Sequence, residues 1–210
     1  MDNDSNPTDS VTHPDTKFTS QAQILQKLDK KDKGLCSPFA NLFAEYKMGL
    51  RGHEFLEQDP QTTYDMAKDM EAYQQEVRQA LAPRNGSELA ALIAMNVAFF
   101  DKGILFKADK RPITMMTDPV KLKAELDGVE HALIDFPTKE STQQNVDSYH
   151  QVYIGRDRGT KRCSFFDANI DGGEREGDCN DIMTLLAQQI QKSSNDTDRR
   201  PVMVVKSMPT

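Results

Sequence analysis

The chain has 210 residues, of which 37% are hydrophobic and 28% charged, with a formal net charge of −7. That length suits one domain with a tail and a real core. The negative balance excludes a nucleic-acid grip, which needs a clustered basic surface, and no apolar run of about 18 residues is present to span a membrane.

The first residues, MDNDSNPTDSVTHPDTK, lack an apolar stretch, so no secretory signal peptide is expected. Residues 1–18 are polar and read as a disordered leader, followed by one catalytic domain over 19–210. Residues 20–31 have Ile24, Leu25 and Leu28 on one side and read as a short helix. Lys30-Lys31-Asp32-Lys33 leads to Gly34-Leu35-Cys36-Ser37-Pro38, where glycine permits a turn and proline fits a first helical turn. Phe39, Leu42, Phe43 and Tyr46 then recur at helical spacing. Cys36 is therefore expected at or just before a helix N-terminus, where exposed N–H groups and the dipole favour a thiolate.

A long amphipathic helix is expected over 61–81, stopped by Pro83 and Arg84-Asn85-Gly86. Ser87 suits an N-cap for a helix over 88–100, whose apolar sequence predicts the buried central helix. Residues 107–111 read as a basic loop. Asp118-Pro119 starts a short helix through Leu126, and 131–136 reads as a strand before the polar loop TKESTQQN. Residues 168–179, rich in glycine and acids, read as a loop. A helix over 181–192 and a final strand over 201–206 complete the chain. Helices first and strands later predict α+β, with helices packed on a small antiparallel sheet.

Between the strand at 131–136 and the acidic loop, residues 149–167 read as a β-hairpin. If Arg158-Gly159 is a two-residue turn, Ile154 faces Cys163, Val152 faces Phe165 and His150 faces Asp167. Alternate residues share a face, so four apolar side chains gather there with His150 and Asp167 side by side at its end. A slip of one residue would break that pattern.

A cysteine at a helix start, with histidine and aspartate on neighbouring strands, is the residue set of thiol nucleophilic catalysis. The thiolate attacks, an imidazole moves the proton, and a carboxylate orients the imidazole. Each residue also has a structural reading: buried cysteine, hydrogen-bonded strand histidine, turn aspartate. Cys163 reads as core and Cys179 as a loop thiol. Three cysteines so far apart suit neither a disulfide framework nor a zinc spacing. One thiol stays unpaired within a monomer, which fits a reducing compartment. His13 and His53 are weak alternatives; His131, with Asp135 or Asp147, is the serious rival base.

The motifs also resemble a family. Gly34-Leu35-Cys36-Ser37-Pro38-Phe39-Ala40-Asn41-Leu42-Phe43 resembles the nucleophile helix of the YopT/AvrPphB-type cysteine proteases of bacterial pathogens. That family usually has a tryptophan where this chain has Phe43. The segments 149–155 and 163–169 resemble its histidine strand and its Phe-Phe-Asp-Pro-Asn segment, and Glu174 its trailing Gly-Glu. The resemblance implies a papain-like fold, with Cys36, His150 and Asp167 as catalytic triad. It implies no metal or cofactor, a host protein as substrate, a monomer, and delivery into a host cell. The oxyanion side chain is open. Lys30 and Lys31 occupy the usual Asn/Gln positions, Gln26 fits if the loop is longer, and the Cys36 N–H is one backbone donor.

The leading expectation is a papain-like cysteine protease. Two rivals stand: a triad enzyme with another acceptor (transglutaminase, deamidase or acyltransferase), and a non-enzymatic binding module on the same scaffold.

Overall fold

The computed structural model describes residues 11–32, 34–139, 148–157, 159–194 and 197–209. Helices α1 (Gln21–Lys27), α2 (Cys36–Lys47), α3 (Glu54–Glu57), α4 (Pro60–Asn85), α5 (Ser87–Met95) and α6 (Val97–Lys102) come first. Strand β1 (Phe106–Arg111), helices α7 (Ile113–Met116) and α8 (Pro119–Glu125), and strands β2 (His131–Pro137), β3 (Tyr149–Arg156), β4 (Arg162–Phe166) and β5 (Glu174–Asp178) follow. Helix α9 (Cys179–Ser193) and strand β6 (Val202–Ser207) complete the order. The sheet runs β1-β6-β2-β3-β4-β5, with each neighbouring pair antiparallel.

Both faces of this sheet are covered, so its inner strands are buried along nearly their whole length. On one face Leu133, Tyr153, Phe166 and Val205 join the core built by α2 and its neighbours. On the other, Ile134, Val152, Ile154 and Phe165 pack with Ile182, Leu186 and Ile190 of α9. The central helix is α2, buried continuously from Cys36 to Glu45. Phe43 is wholly buried and stacks on Phe166, centroids 4.6 Å apart. It fills the place that the resemblance gives to tryptophan. At the other end of α2, Lys47 pairs with Glu174 and Glu176, each at 2.9 Å. Glu174 thus ties α2 to β5.

Several expectations are corrected. Pro83 does not stop α4, because it falls in an exposed last turn where water can take the carbonyl that proline leaves unpaired. The helix ends at Gly86, φ +81°. The segment at 88–100 is neither one helix nor the central one. It breaks at Asn96 into α5 and α6, and Leu89, Met95 and Phe100 are exposed. Buried Asn41 holds the break open, donating from Nδ2 to the Met95 carbonyl (2.9 Å) and accepting from the Ala98 N–H (3.1 Å).

The basic loop at 107–111 is the edge strand β1, paired to β6, and part of the acidic loop is β5. Residues 1–10 of the expected leader lie outside the described residues. Its last part is not loose: Thr12 bridges Glu176, and Phe18 is buried against Phe39, Phe55 and Phe166. The N–H groups of Lys17 and Phe18 both donate to the Leu56 carbonyl. Cys163 and Cys179, read as separate thiols, form a disulfide with Cα atoms 4.8 Å apart. The β4–β5 register explains it: Cys163 pairs with Gly177, which places Cys179 just past the strand end.

Candidate active site

Cys36 is the first residue of α2, whose N-terminus meets the start of β3; the thiol donates to the Tyr149 carbonyl at 3.9 Å. His150 is the next residue of β3, and the Cys36 sulfur is near enough to help hold its ring charged. The Nε2 atom of His150 lies 2.6 Å from Oδ1 of Asp167, which leaves Nδ1 as the nitrogen for the thiol. Cys36, His150 and Asp167 are all buried, Asp167 completely. Burial disfavours a charged ring at His150, but Asp167 and Cys36 outweigh it and raise its pKa to about 10. The imidazole is thus held in its charged form beside the Cys36 sulfur.

The hairpin places these groups by a different register from the expected one. Ile154 lies opposite Phe165, and Arg156 opposite Cys163. This is a slip of two residues, which preserves faces. Val152, Ile154, Cys163 and Phe165 therefore still share one cluster. His150 and Asp167 are not directly opposed; Asp167 reaches the ring diagonally from just past the end of β4. Part of the expected two-residue turn, Arg158, lies outside the described residues, but the Asp157 N–H donates to the Arg162 carbonyl across a longer loop.

Asp167 is fixed by its own turn. Its Oδ1 also accepts from the Asn169 N–H at 2.8 Å, and its N–H donates to the Gly173 carbonyl at 3.1 Å. The Asn169 amide nitrogen stands 3.4 Å from both ring nitrogens of His150. That symmetry describes a group beside the ring, not an in-line hydrogen bond to either nitrogen. The Asn169 Oδ1 accepts from Gln21 Nε2 at 2.5 Å.

Gln26 does not reach this site. The face of α1 turned to the cleft carries Gln21, Ala22 and Leu25, and Gln26 points to solvent. Sequence reasoning missed Gln21 and Asn169. Asn169 had a signal, since it ends the segment resembling the histidine–aspartate motif; Gln21 had none. The other histidines lie elsewhere. His131 Nδ1 is 2.7 Å from the Tyr153 hydroxyl at the far end of β2 and β3. His53 packs by Tyr46, and His13 is exposed. Asp147 lies outside the described residues. Among the described residues, no three His, Cys, Asp or Glu side chains gather as metal ligands, and no helix is long and apolar enough to cross a membrane.

Two cavities meet at Cys36. One, about 490 Å³, is lined by Gln21, Tyr149, His150, Asn169 and Lys192. The other, about 240 Å³, lies between α2, α4, α5 and the sheet. A thiol with space on both sides can meet a chain laid across it.

The structure of the Pseudomonas avirulence protein AvrPphB is similar to this chain with a TM-score of 0.60 and 12% identity, covering 94% of this chain and 100% of that one. The fold is thus papain-like α+β, helices around an antiparallel sheet. No protein-family model matches the sequence, and no curated protein matches it.

Proposed function

We propose that this chain is a papain-like cysteine hydrolase that cleaves peptide bonds in host proteins, with Cys36 as nucleophile, His150 as acid and base, and Asp167 as the group that orients the ring. The observation that carries the reading is the buried line of thiol, imidazole and carboxylate at the start of α2. The Cys36 thiolate adds to the carbonyl carbon while the Cys36 N–H, at the helix start, faces the developing oxyanion. The imidazolium of His150 gives its proton to the leaving amine, and the C–N bond breaks to leave a thioester. Water, deprotonated by His150, then adds to the thioester carbon, and the C–S bond breaks to release the acid and restore thiolate and imidazolium. The fold similarity to an avirulence protein supports delivery into a host cell.

Iodoacetamide alkylation of Cys36, followed by mass spectrometry, tests the activated pair. Rapid labelling at neutral pH is expected, slowed about a hundredfold or more in His150→Ala. Slow labelling indifferent to His150 would reject an enzyme and favour a binding module. Host proteins trapped on Cys36→Ser would name the substrate. Product masses then separate hydrolysis from transfer to an amine.

A further inference from the structure

The Cys163–Cys179 disulfide lies at a cavity of its own, by the end of β3 opposite to His150. The cavity is about 170 Å³ and has both cysteines in its lining, between the last residues of β3, the start of β4, the end of α8 and the start of α9. Cys163 is 2% exposed, whereas Cys179, the first residue of α9, is half-buried. The Cys179 N–H donates to the Lys161 carbonyl at 2.8 Å, which fixes Lys161 beside the bridge. Lys161 is exposed and has no ion-pair partner among the described residues. Arg156 and Lys123, which donates to Asn180 Oδ1 at 2.5 Å, add two cations to the lining. Two acids share it. Asp178 caps α9, accepting from the Asn180 N–H at 2.8 Å, and Asp127 is 78% exposed, 3.6 Å from Arg156.

A disulfide is opened by a thiolate that reaches one of its sulfurs. With Cys163 buried, a protein surface has no approach to this bridge, but a molecule small enough for the cavity does. Of the two cysteines, exposure makes Cys179 the one to be attacked. Charge then selects among small thiols. The chain as a whole carries −7, yet this lining sets three cations against two acids, both already engaged. The N-terminus of α9, a helix of 15 residues, adds its positive end. An anion is therefore favoured here.

We propose that this cavity is a thiol-exchange site, at which a small thiol bearing carboxylate groups opens the Cys163–Cys179 bridge. The small thiolate attacks the Cys179 sulfur. The S–S bond of the bridge breaks, a new one forms between the small thiol and Cys179, and Cys163 leaves as a thiolate that takes up the proton the small thiol lost. A second molecule attacks the small-thiol sulfur of this mixed disulfide, and Cys179 leaves, its negative charge favoured at the start of α9. Two small thiols are thereby oxidised to one disulfide, and the bridge is reduced to two thiols. Lys123, Arg156 and Lys161 draw in the carboxylates. The site stands apart from the hydrolase reading, since neither cysteine belongs to the triad.

The test follows bridge opening in the full chain without denaturant, using a maleimide quench and mass spectrometry of the peptides that hold Cys163 and Cys179. Mercaptopropionate (anionic), mercaptoethanol (neutral) and cysteamine (cationic) are compared per thiolate, with a correction for thiol basicity. At low salt the anionic thiol should open the bridge at least about fivefold faster than the neutral one, with the cationic one slowest. High salt should erase the advantage, and so should Lys161→Glu, a change at an exposed position. Glutathione, with two carboxylates, should match the anionic probe and leave its adduct on Cys179. Equal rates for the three thiols overturn the proposal, as does an advantage that survives high salt or folded Lys161→Glu. An adduct confined to Cys163 overturns it too, and so does a rate that does not rise with thiol concentration, which would mean opening only through unfolding. The salt comparison on the parent chain stands if the variant does not fold.

Discussion

The side-chain amide of Asn41, on the helix that begins with Cys36, donates to the side-chain oxygen of Gln151, the residue after His150, at 3.2 Å. Helix α2 and strand β3 are therefore joined inside the core by two neutral side chains. The same Asn41 amide donates to the carbonyls of Ser37 and Met95 and accepts from the Ala98 N–H.

Replacing Asn41 by alanine would take the side-chain partner from the Ala98 N–H and the Gln151 oxygen in a buried place, while the Met95 carbonyl keeps the Gln151 N–H. The expected loss is roughly 3 kcal/mol, since each unsatisfied buried group costs ~1–3 kcal/mol and neighbouring groups relax together. Urea unfolding would read it as a lower midpoint. Asn41→Asp should be worse than Asn41→Ala, because it buries a charge.

Phe43 offers a test of shape. Phe43→Ala should cost ~3–5 kcal/mol through the cavity it leaves. Phe43→Trp, which installs the residue of the family this chain resembles, should cost ~1–3 kcal/mol by overpacking, because the ring is wholly buried and stacked on Phe166. Thermal unfolding of both variants decides. A tryptophan variant as stable as the parent would mean that the aromatic layer holds spare volume.

The protonation of His150 has a defined sign. Its pKa is raised from 6.5 to about 10, so its folded form binds a proton more tightly than the unfolded chain does. The stability this contributes is complete below 6.5, and is lost as the pH rises through about 10. Asp167→Asn removes the main attraction and should bring the ring back toward its ordinary value. Ring nitrogen chemical shifts followed against pH will show it. Peptide hydrolysis should decline on the same alkaline limb, because the leaving amine needs the imidazolium.

The Cys163–Cys179 disulfide closes a loop between residues 16 apart in sequence. Closing a loop of about 15 residues is worth ~3 kcal/mol in the chain-entropy account. Adding a phosphine reductant should lower the unfolding free energy of the parent, read from urea titration, by up to that amount. It should leave a Cys163→Ser, Cys179→Ser double variant unmoved.

The parts legible in the sequence are those governed by local rules. Gly34 to Pro38 announces a helix start, and the apolar alternation around Val152 and Ile154 announces a strand. The face shared by His150 and Val152 follows from the period of two. The register did not follow, because a slip of two keeps every face and merely lengthens the turn; pattern cannot distinguish the two. Strand β5, Glu-Arg-Glu-Gly-Asp, has no apolar alternation at all. It forms because β4 offers it a hydrogen-bonding edge. With β5 unread, the bridge from Cys163 to Cys179 was unreadable too. The segment around Ala90 to Phe100 misled by composition, since apolar content does not reveal that Asn41 will split the helix. Gln151 was hidden because it sits in a strand of ordinary appearance and takes its partners from α2 and α5.

The sheet order has a consequence for synthesis. The last strand, β6, lies between β1 and β2, so β1 has no strand partner until residues 202–207 have emerged. A chain still on the ribosome can form the hairpin that carries His150 and the helix that carries Cys36. It cannot complete the sheet that supports the hairpin's outer neighbour. Pairings between residues so distant in sequence are slow to form, and until they form β2 presents an open edge to other chains. Completion of the sheet is therefore expected to wait until residues 202–207 are free to pair, with β6 as the piece that locks its two halves together.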